Sequence, residues 1–164
     1  MKGWALLAAL ALAGSPAAAQ NEPETLPTVD HIVVDKTART LSAYSGGQLL
    51  RRVEGIQLGD VPRGHKRFEG DERTPEGRYW IDWGNPASSY YLSLHISYPN
   101  ATDRAYAASQ GRSPGGMIMI HGQPNGRAGR MHGDWTDGCI AVSNEEIAWL
   151  WQTVGDGTPI DILP

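Results

Sequence analysis

Apolar runs in this chain are short and are cut by turn residues before a helical period is established, which commits most of its length to β-strands. From His31, Ile32-Val33-Val34 is β-branched and Asp35-Lys36-Thr37 is turn chemistry. Residues 40–44 (TLSAY) alternate, Ser45-Gly46-Gly47 turns again, and residues 48–58 continue as a third strand. Such runs, bounded by Gly, Asp and Ser, read as a meander of hairpins. Residues 78–83 form a further strand. In residues 91–98 (YLSLHISY), Leu92, Leu94, Ile96 and Tyr98 share one face and Ser93, His95 and Ser97 the other, the period-2 pattern of a strand. His95 therefore has a strand position on the less apolar face and no catalytic role. Residues 117–120 (MIMI) form a buried strand ending on His121, residues 140–142 a short strand and residues 158–163 (TPIDIL) the last.

Two segments have helical grammar instead. Residues 100–110 offer Asn100 or Thr102 as cap and Gly111 as stop. Ser143-Asn144-Glu145-Glu146 is a capping box. It opens a helix whose apolar stripe is Ile147, Leu150, Trp151 and Val154, read as core, with Gly155 ending it. Trp149 and Trp151 cannot both face the core, so one of them is expected at the surface. Residues 59–77 are rich in Gly, Pro and charge and read as a long ordered loop, a class often tied to function. Its His65 and Lys66, like Arg127 and Arg130 further on, read as solvated loop side chains. The fold class is mostly β with two short helices.

The first residues read as an address. Lys2 precedes a short apolar run at residues 4–13, Gly14-Ser15-Pro16 breaks it, and Ala17-Ala18-Ala19 supplies the small residues of a cleavage site. That is the layout of a secretory signal peptide over residues 1–19, with export to the periplasm or cell envelope as its consequence. The run is too short for a membrane anchor, which needs about 20 apolar residues. Residues 20–29 read as a flexible leader and residues 30–164 as one domain. Removing 19 of the 164 residues leaves 13 Lys and Arg against 18 Asp and Glu, a net charge of −5. An acidic chain without a basic run is a poor partner for nucleic acid.

Cys139 is the only cysteine. In an exported chain it cannot form an internal disulfide, which leaves a buried inert thiol, an intermolecular bridge or a reactive thiol. Its surroundings favour reactivity. Residues 120–143 (IHGQPNGRAGRMHGDWTDGCIAVS) place a His-Gly pair at the end of one apolar strand and Thr136-Asp137-Gly138-Cys139 at the start of another. A thiol attacks carbonyls only as thiolate, and an imidazole within reach can take its proton. The amides around Gly138 and Cys139 can stabilise an oxyanion. The Gly122 carbonyl, or a neighbour's, can orient the imidazole. By themselves a cysteine and a histidine this close are only suggestive, since the chain holds five histidines and His132 is also near.

His121-Gly122 followed by Thr136-Asp137-Gly138-Cys139-Ile140, with 18 residues from His121 to Cys139, resembles the signature of L,D-transpeptidase (YkuD-type) catalytic domains. Asp35-Lys36 with Leu41 and Tyr44 resembles the family's opening hairpin. Gly59-Asp60-Val61-Pro62, with Thr74-Pro75-Glu76-Gly77-Arg78-Tyr79, resembles its loop segment, and Gly157-Thr158-Pro159-Ile160 its closing strand. The resemblance covers residues 30–163. Ile96-Ser97-Tyr98-Pro99-Asn100, Pro114-Gly115-Gly116 and Asp134-Trp135-Thr136 draw it toward the YafK-like branch.

The resemblance implies a β-sandwich-like catalytic domain and a role in cell-wall biogenesis and cell shape. It makes Cys139 the nucleophile and His121 its base, on the stem peptides of peptidoglycan. A wall-linked lipoprotein is a further candidate partner. The nucleophile would attack the L-centre carbonyl of diaminopimelate and give a thioester, passed to an amine by a transpeptidase or to water by a carboxypeptidase or amidase. No cofactor and no metal are called for, and a monomer suffices. Thr136, Asp137, Trp135 and His132 are candidates for substrate contact or for support of the pair. The chain departs from the pattern at Ala141, where many members carry Arg or Asn.

Two other classes compete. His121, His132 and Asp134 could ligate zinc with a water in the fourth place, which would leave Cys139 without a task. Trp80, Trp83, Trp135, Trp149 and Trp151 could make a non-catalytic wall-binding module by stacking on sugars.

Export gives the first test. N-terminal sequencing of the processed protein is expected to begin at Gln20, with the protein outside the cytoplasmic membrane; an intact Met1 on the accumulated form contradicts it.

Overall fold

The computed structural model describes residues 26–164, so the signal segment and the first part of the leader lie outside the described residues. The elements run in the order β1 (His31–Asp35), β2 (Thr40–Ser45), β3 (Gln48–Glu54), β4 (Gly77–Asn85), β5 (Ser93–Ile96), α1 (Ala101–Ser109), β6 (Met119–His121), β7 (Ile140–Ala141), α2 (Asn144–Thr153) and β8 (Thr158–Leu163). No helix among the described residues is long and apolar enough to cross a membrane.

The fold is mostly β with two helices, as expected, and its strands form one eight-stranded sheet in the order β3-β2-β1-β8-β4-β5-β6-β7. The opening meander is antiparallel. β8 returns from the end of the chain to lie parallel to β1 and antiparallel to β4. Period 2 makes this work: β1 buries Ile32 and Val34, β8 buries Ile160 and Ile162, and the register sets Ile32 beside Ile160 and Val34 beside Ile162. The apolar side chains of both strands therefore fall on one face.

The sheet curls because its two edges meet. The chain leaves β3 at Gly55, and Gln57 then pairs with Ala141 of β7 at the opposite edge. Gln57 N–H donates to the Ala141 carbonyl at 2.9 Å and Ala141 N–H to the Gln57 carbonyl at 2.8 Å. This is why the third strand stops at Glu54 rather than running to Leu58: Gln57 and Leu58 serve the far edge. The core lies inside the curl and is closed by Ile147 and Leu150 of α2, both fully buried.

Both helices begin with a capping box, Asn100 with Asp103 and Ser143 with Glu146. Several expectations need correction. α2 ends at Thr153, with Val154 as its cap. Neither Trp149 nor Trp151 is exposed. Both flank the core half-buried, Trp149 beneath the Arg51 guanidinium and Trp151 with its ring over Gly84. The strand expected from Met117 begins at Met119, because Met117 turns outward with φ 56° and is 64% exposed. Val29, placed in the leader, is buried and bridges to Val154, so the core starts one residue earlier.

The long loop is not solvated at His65 and Lys66. Lys66 is 3% exposed and its Nζ binds Asp71 at 2.9 Å and the Phe68 carbonyl at 3.1 Å. His65 lies between Asp103 (3.0 Å from Nε2) and the Glu76 N–H, which donates to its Nδ1 at 2.8 Å. Lys36, read as turn chemistry, is buried and bonds the Gly64 and Thr74 carbonyls and Glu76. A buried charge is tolerated only with such partners. The loop is therefore pinned at both ends and through its middle.

Stability should follow this layout. Ile160→Ala, at the centre of the sheet, is expected to cost about 2–5 kcal/mol in urea unfolding. Leu163→Ala on the same strand, where the side chain is 45% exposed, should stay within about 0.5 kcal/mol; equal losses would contradict the packing.

Candidate active site

β6 and β7 are parallel neighbours, with Ile120 beside Ile140 and His121 beside Ala141. Cys139 extends β7 by one residue at its start, level with Met119. In strands, residues two apart share a face, so Cys139 projects to the same side as Ala141 and His121. The offset of two residues on adjacent strands is about 7–8 Å between backbone positions, within reach of long and aromatic side chains. His121 and Cys139 both line one cleft of 340 Å³ with Tyr90, Trp135, Thr136 and Asp137.

The turn that presents the thiol is fixed from within. Thr136, 5% exposed, donates its hydroxyl to the Cys139 carbonyl at 2.7 Å and accepts from Gly138 N–H at 3.2 Å. Gly138 has φ +124°, and a Cβ there would sit 2.4 Å from the Arg73 carbonyl. Only glycine fits this close approach, and the contact is how the long loop buttresses the turn. Gly138 N–H is thus engaged by Thr136, while Cys139 N–H donates to no group among the described residues.

The imidazole is held as tightly. His121 Nδ1 lies 2.7 Å from the Gly122 carbonyl. A carbonyl only accepts, so Nδ1 carries the hydrogen and Nε2 keeps its lone pair. Tyr90 lies against the ring at 4.6 Å between centroids and Trp135 meets it edge-on at 5.6 Å. Gly122 has no room for a side chain, with the Asn144 Oδ1 2.5 Å and the Tyr90 carbonyl 2.9 Å from where a Cβ would be.

Electrostatics set the resting protonation. Burial pushes the Cys139 thiol up to about 11, and the nearby Asp137 charge adds to it, against the pull of the Met119 N–H. Burial also lowers His121, which the Gly122 contact opposes. Near neutral pH the pair is thiol and neutral imidazole. The thiol's hydrogen-bond partners are Met119 N–H at 3.3 Å and the Met117 carbonyl at 3.6 Å, rather than the imidazole.

The remaining candidates are distributed around this pair. His132 is exposed and does not line the cleft. Asp134 is turned away to a two-pronged pair with Arg39 (2.8 and 2.6 Å) and accepts from Leu58 N–H. Among the described residues no three His, Cys, Asp or Glu side chains converge where a metal ion could sit, so His121, His132 and Asp134 do not form the zinc triad weighed above. Of the five tryptophans in the wall-binding alternative, only Trp135 lines the cleft.

Sequence reasoning missed three supports. Tyr90 sits in a polar stretch with no periodicity. Gln57 and Gln123 are buried and clamp the intervening loop: Gln57 Nε2 donates to the Met131 and Gly133 carbonyls, and Gln123 Nε2 to Gln57 Oε1 and the Val142 carbonyl. A glutamine between Ile56 and Leu58, and another directly after His121-Gly122, were the only signals in the sequence.

A mostly-β domain with a thiol and an imidazole on adjacent strand ends matches one family. The sequence model of the YkuD-type L,D-transpeptidase catalytic domain covers residues 29–162, and the chain belongs to that family. It is 28% identical over 150 residues to YafK of Escherichia coli (strain K12), spanning 85% of this chain and 53% of that protein. Among solved structures, the helical cell shape determining protein Pgp2 (K307A mutant) of Campylobacter jejuni superposes with a TM-score of 0.65 at 30% identity, over 83% of this chain and 47% of that one. An L,D-transpeptidase from Mycobacterium smegmatis has a TM-score of 0.54 at 17% identity, over 81% of this chain and 58% of that one, a likeness of fold. The chain thus spans about half the length of the curated relatives it matches.

The protonation state has a direct readout. Iodoacetamide labelling of Cys139 should still be accelerating above pH 9, where an ordinary thiol with a pKa of about 8.5 has levelled off. A plateau below pH 9 would mean that the resting thiol is already ionised.

Proposed function

We propose that the protein is a cysteine acyl transferase of the cell envelope that remodels peptidoglycan, with Cys139 as nucleophile and His121 as general base. The observation that carries this reading is the Nδ1 contact of His121 with the Gly122 carbonyl. It leaves Nε2 as the basic nitrogen in the cleft that also holds the thiol.

Because the resting thiol is protonated, deprotonation accompanies attack. A stem tetrapeptide enters the cleft, Nε2 takes the Sγ proton, and sulfur adds to the carbonyl at the L-centre of the diamino acid. The Cys139 N–H is the free donor beside the developing oxyanion, and such a donor is worth about 100- to 1000-fold in rate. The imidazolium then returns its proton to the leaving amine of the terminal residue, and a thioester remains. Exclusion of water around the pair by Tyr90 and Trp135 strengthens each of these interactions.

A second reading, in which water rather than an amine accepts the acyl group, has one observation in its favour. Ala141, where many relatives carry Arg or Asn, is fully buried, and both its backbone groups pair with Gln57. Its methyl group carries no donor that could order an amine-bearing acceptor or its carboxylate. The relatives of known cell-shape role make envelope remodelling the context for either outcome, and the signal segment supports an envelope location.

Turnover of defined muropeptides, read by mass, tests this. Cys139→Ser is expected to lose about 10,000-fold or more, since the covalent route is removed. His121→Ala should lose about 100- to 10,000-fold. A new link between two diamino acids marks a transpeptidase and a shortened or released peptide a hydrolase. Activity retained in Cys139→Ser would overturn the proposal.

A further inference from the structure

The outer face of the sheet carries an aromatic shelf that the acyl-transfer chemistry does not use. On β4, Tyr79 and Ile81 are buried in the core, whereas Trp80, Asp82 and Trp83 are all exposed. Strict alternation would turn Trp83 inward with Ile81. A bulge prevents this: Ile81 pairs with Ile96 and Trp83 with His95, so Asp82 is the extra residue and both it and Trp83 face outward. The Trp83 and His95 rings stack at 4.7 Å between centroids and 16° between planes. His95 Nδ1 donates to Asp82 Oδ1 at 2.6 Å. Asp82 thus fixes His95, and His95 covers one face of the indole and leaves the other open. The second Asp82 oxygen accepts no hydrogen bond among the described residues. Trp80 stands on the same face, beside Pro159 of β8.

The shelf shares its face with the thiol. His95 of β5 lies opposite Trp83 on one side and opposite Met119 of β6 on the other. Met119 N–H in turn lies 3.3 Å from Cys139 Sγ. Trp83, His95, Met119 and Cys139 therefore form one row across β4, β5, β6 and the start of β7. Their neighbours Ile96, Ile120 and Ile140 point the other way, into the core. Three strand spacings amount to about 14 Å. A fully extended stem of three to four residues reaches about 10–14 Å. The distance from shelf to thiol is one stem peptide.

We infer that Trp83, fixed by His95 and Asp82 and flanked by Trp80, is a sugar-binding site for the glycan strand to which the stem peptide is attached. The inference rests on the acyl-transfer reading above and adds to it a binding site outside the cleft. A pyranose ring presents C–H groups on its faces and hydroxyl and amide groups around its rim. Its C–H face stacks on the open face of the indole, which is electron-rich. The free Asp82 oxygen accepts a hydrogen bond from the rim. An indole already held in place loses little freedom on binding. With a sugar on the shelf, the attached stem runs along the row and brings its scissile carbonyl to the thiol.

Binding is read first, in the absence of turnover. Cys139→Ala protein is titrated by calorimetry with chitotetraose, a linear tetramer of N-acetylglucosamine, and with glycan strands stripped of peptide. Saturable binding of both is expected. Adding Trp83→Ala should weaken it about two- to tenfold, the size of one aromatic stacking contact, and Trp83→Tyr should restore most of it. About 1 M salt should leave it unchanged, because no ion pair is involved. Affinity unaltered by Trp83→Ala overturns the inference; if that variant does not fold, affinity unaltered by both Trp80→Ala and Asp82→Asn does so. A dimer in sedimentation that Trp83→Ala dissociates would give the shelf to a second copy of the chain and overturn it as well.

Reaction is read second, as a ratio. In the wild-type protein the KM of a disaccharide-tetrapeptide is expected below that of the sugar-free tetrapeptide, with similar kcat. In Trp83→Ala the ratio of the two KM values should approach one. Loss of activity on both substrates with the ratio unchanged would mean that Trp83 only supports the fold, and would overturn the site. Sugar binding without any reaction on peptide would sink the acyl-transfer reading while leaving the site standing. Reaction on both substrates with equal KM and no sugar binding would sink the site alone.

Discussion

The backbone pairing of Gln57 with Ala141 brings the two ends of the sheet together, and the arrangement around the thiol depends on it. Without it β7 would be a two-residue edge strand held only by β6. With it, the strand that starts next to Cys139 is supported on both sides. The same segment extends the support: Leu58 receives Trp135 and Thr136 N–H groups on its carbonyl, and Asp60 N–H donates to Thr136. The Gln57 side chain then holds the loop that leads back from His121. Thiol, imidazole and intervening loop are thus fastened to one crossing point, which suits chemistry that tolerates little misplacement of reacting groups.

Burial gives this site its chemical character. The same dry environment that pushes the thiol up and the imidazole down keeps the pair neutral until a substrate arrives. An uncharged pair costs little to bury. The tautomer is chosen in advance by the Gly122 carbonyl, so no reorganisation is needed when the proton moves. In the proposed reaction the thiol gives up its proton only as sulfur adds to the substrate carbonyl.

Most of the fold was legible because period 2 and capping are local. β8 was read at its observed bounds, and the capping box of α2 from four residues, while at α1 the choice between Asn100 and Thr102 as cap falls to Asn100, whose box with Asp103 had not been read. The strand ends that failed did so for tertiary reasons: residues 56–58 have strand character but serve the opposite edge of the sheet, and Met117 is held outward as the lip of the cleft. Polar residues were harder. His65 and Lys66 looked solvated because charge in a Gly- and Pro-rich loop usually is, and Lys36 looked like a turn residue, whereas here each meets a carboxylate distant in sequence or across a turn. Tyr90 and Gln123 support the site through contacts that no spacing rule encodes. His121 and Cys139 stood out because glycines flank them, and those glycines mark close backbone approaches.

Membership of the L,D-transpeptidase family accounts for the sheet, and the proposed function turns on covalent chemistry at Cys139. The most direct measurement is intact-protein mass after mixing the protein with a stem tetrapeptide and quenching in acid within the first turnover. The expected result is an adduct on Cys139 equal to the peptide less its terminal residue, with one equivalent of that residue released, and no adduct on Cys139→Ala. Product formation without any such adduct, or an adduct on another residue, would contradict it.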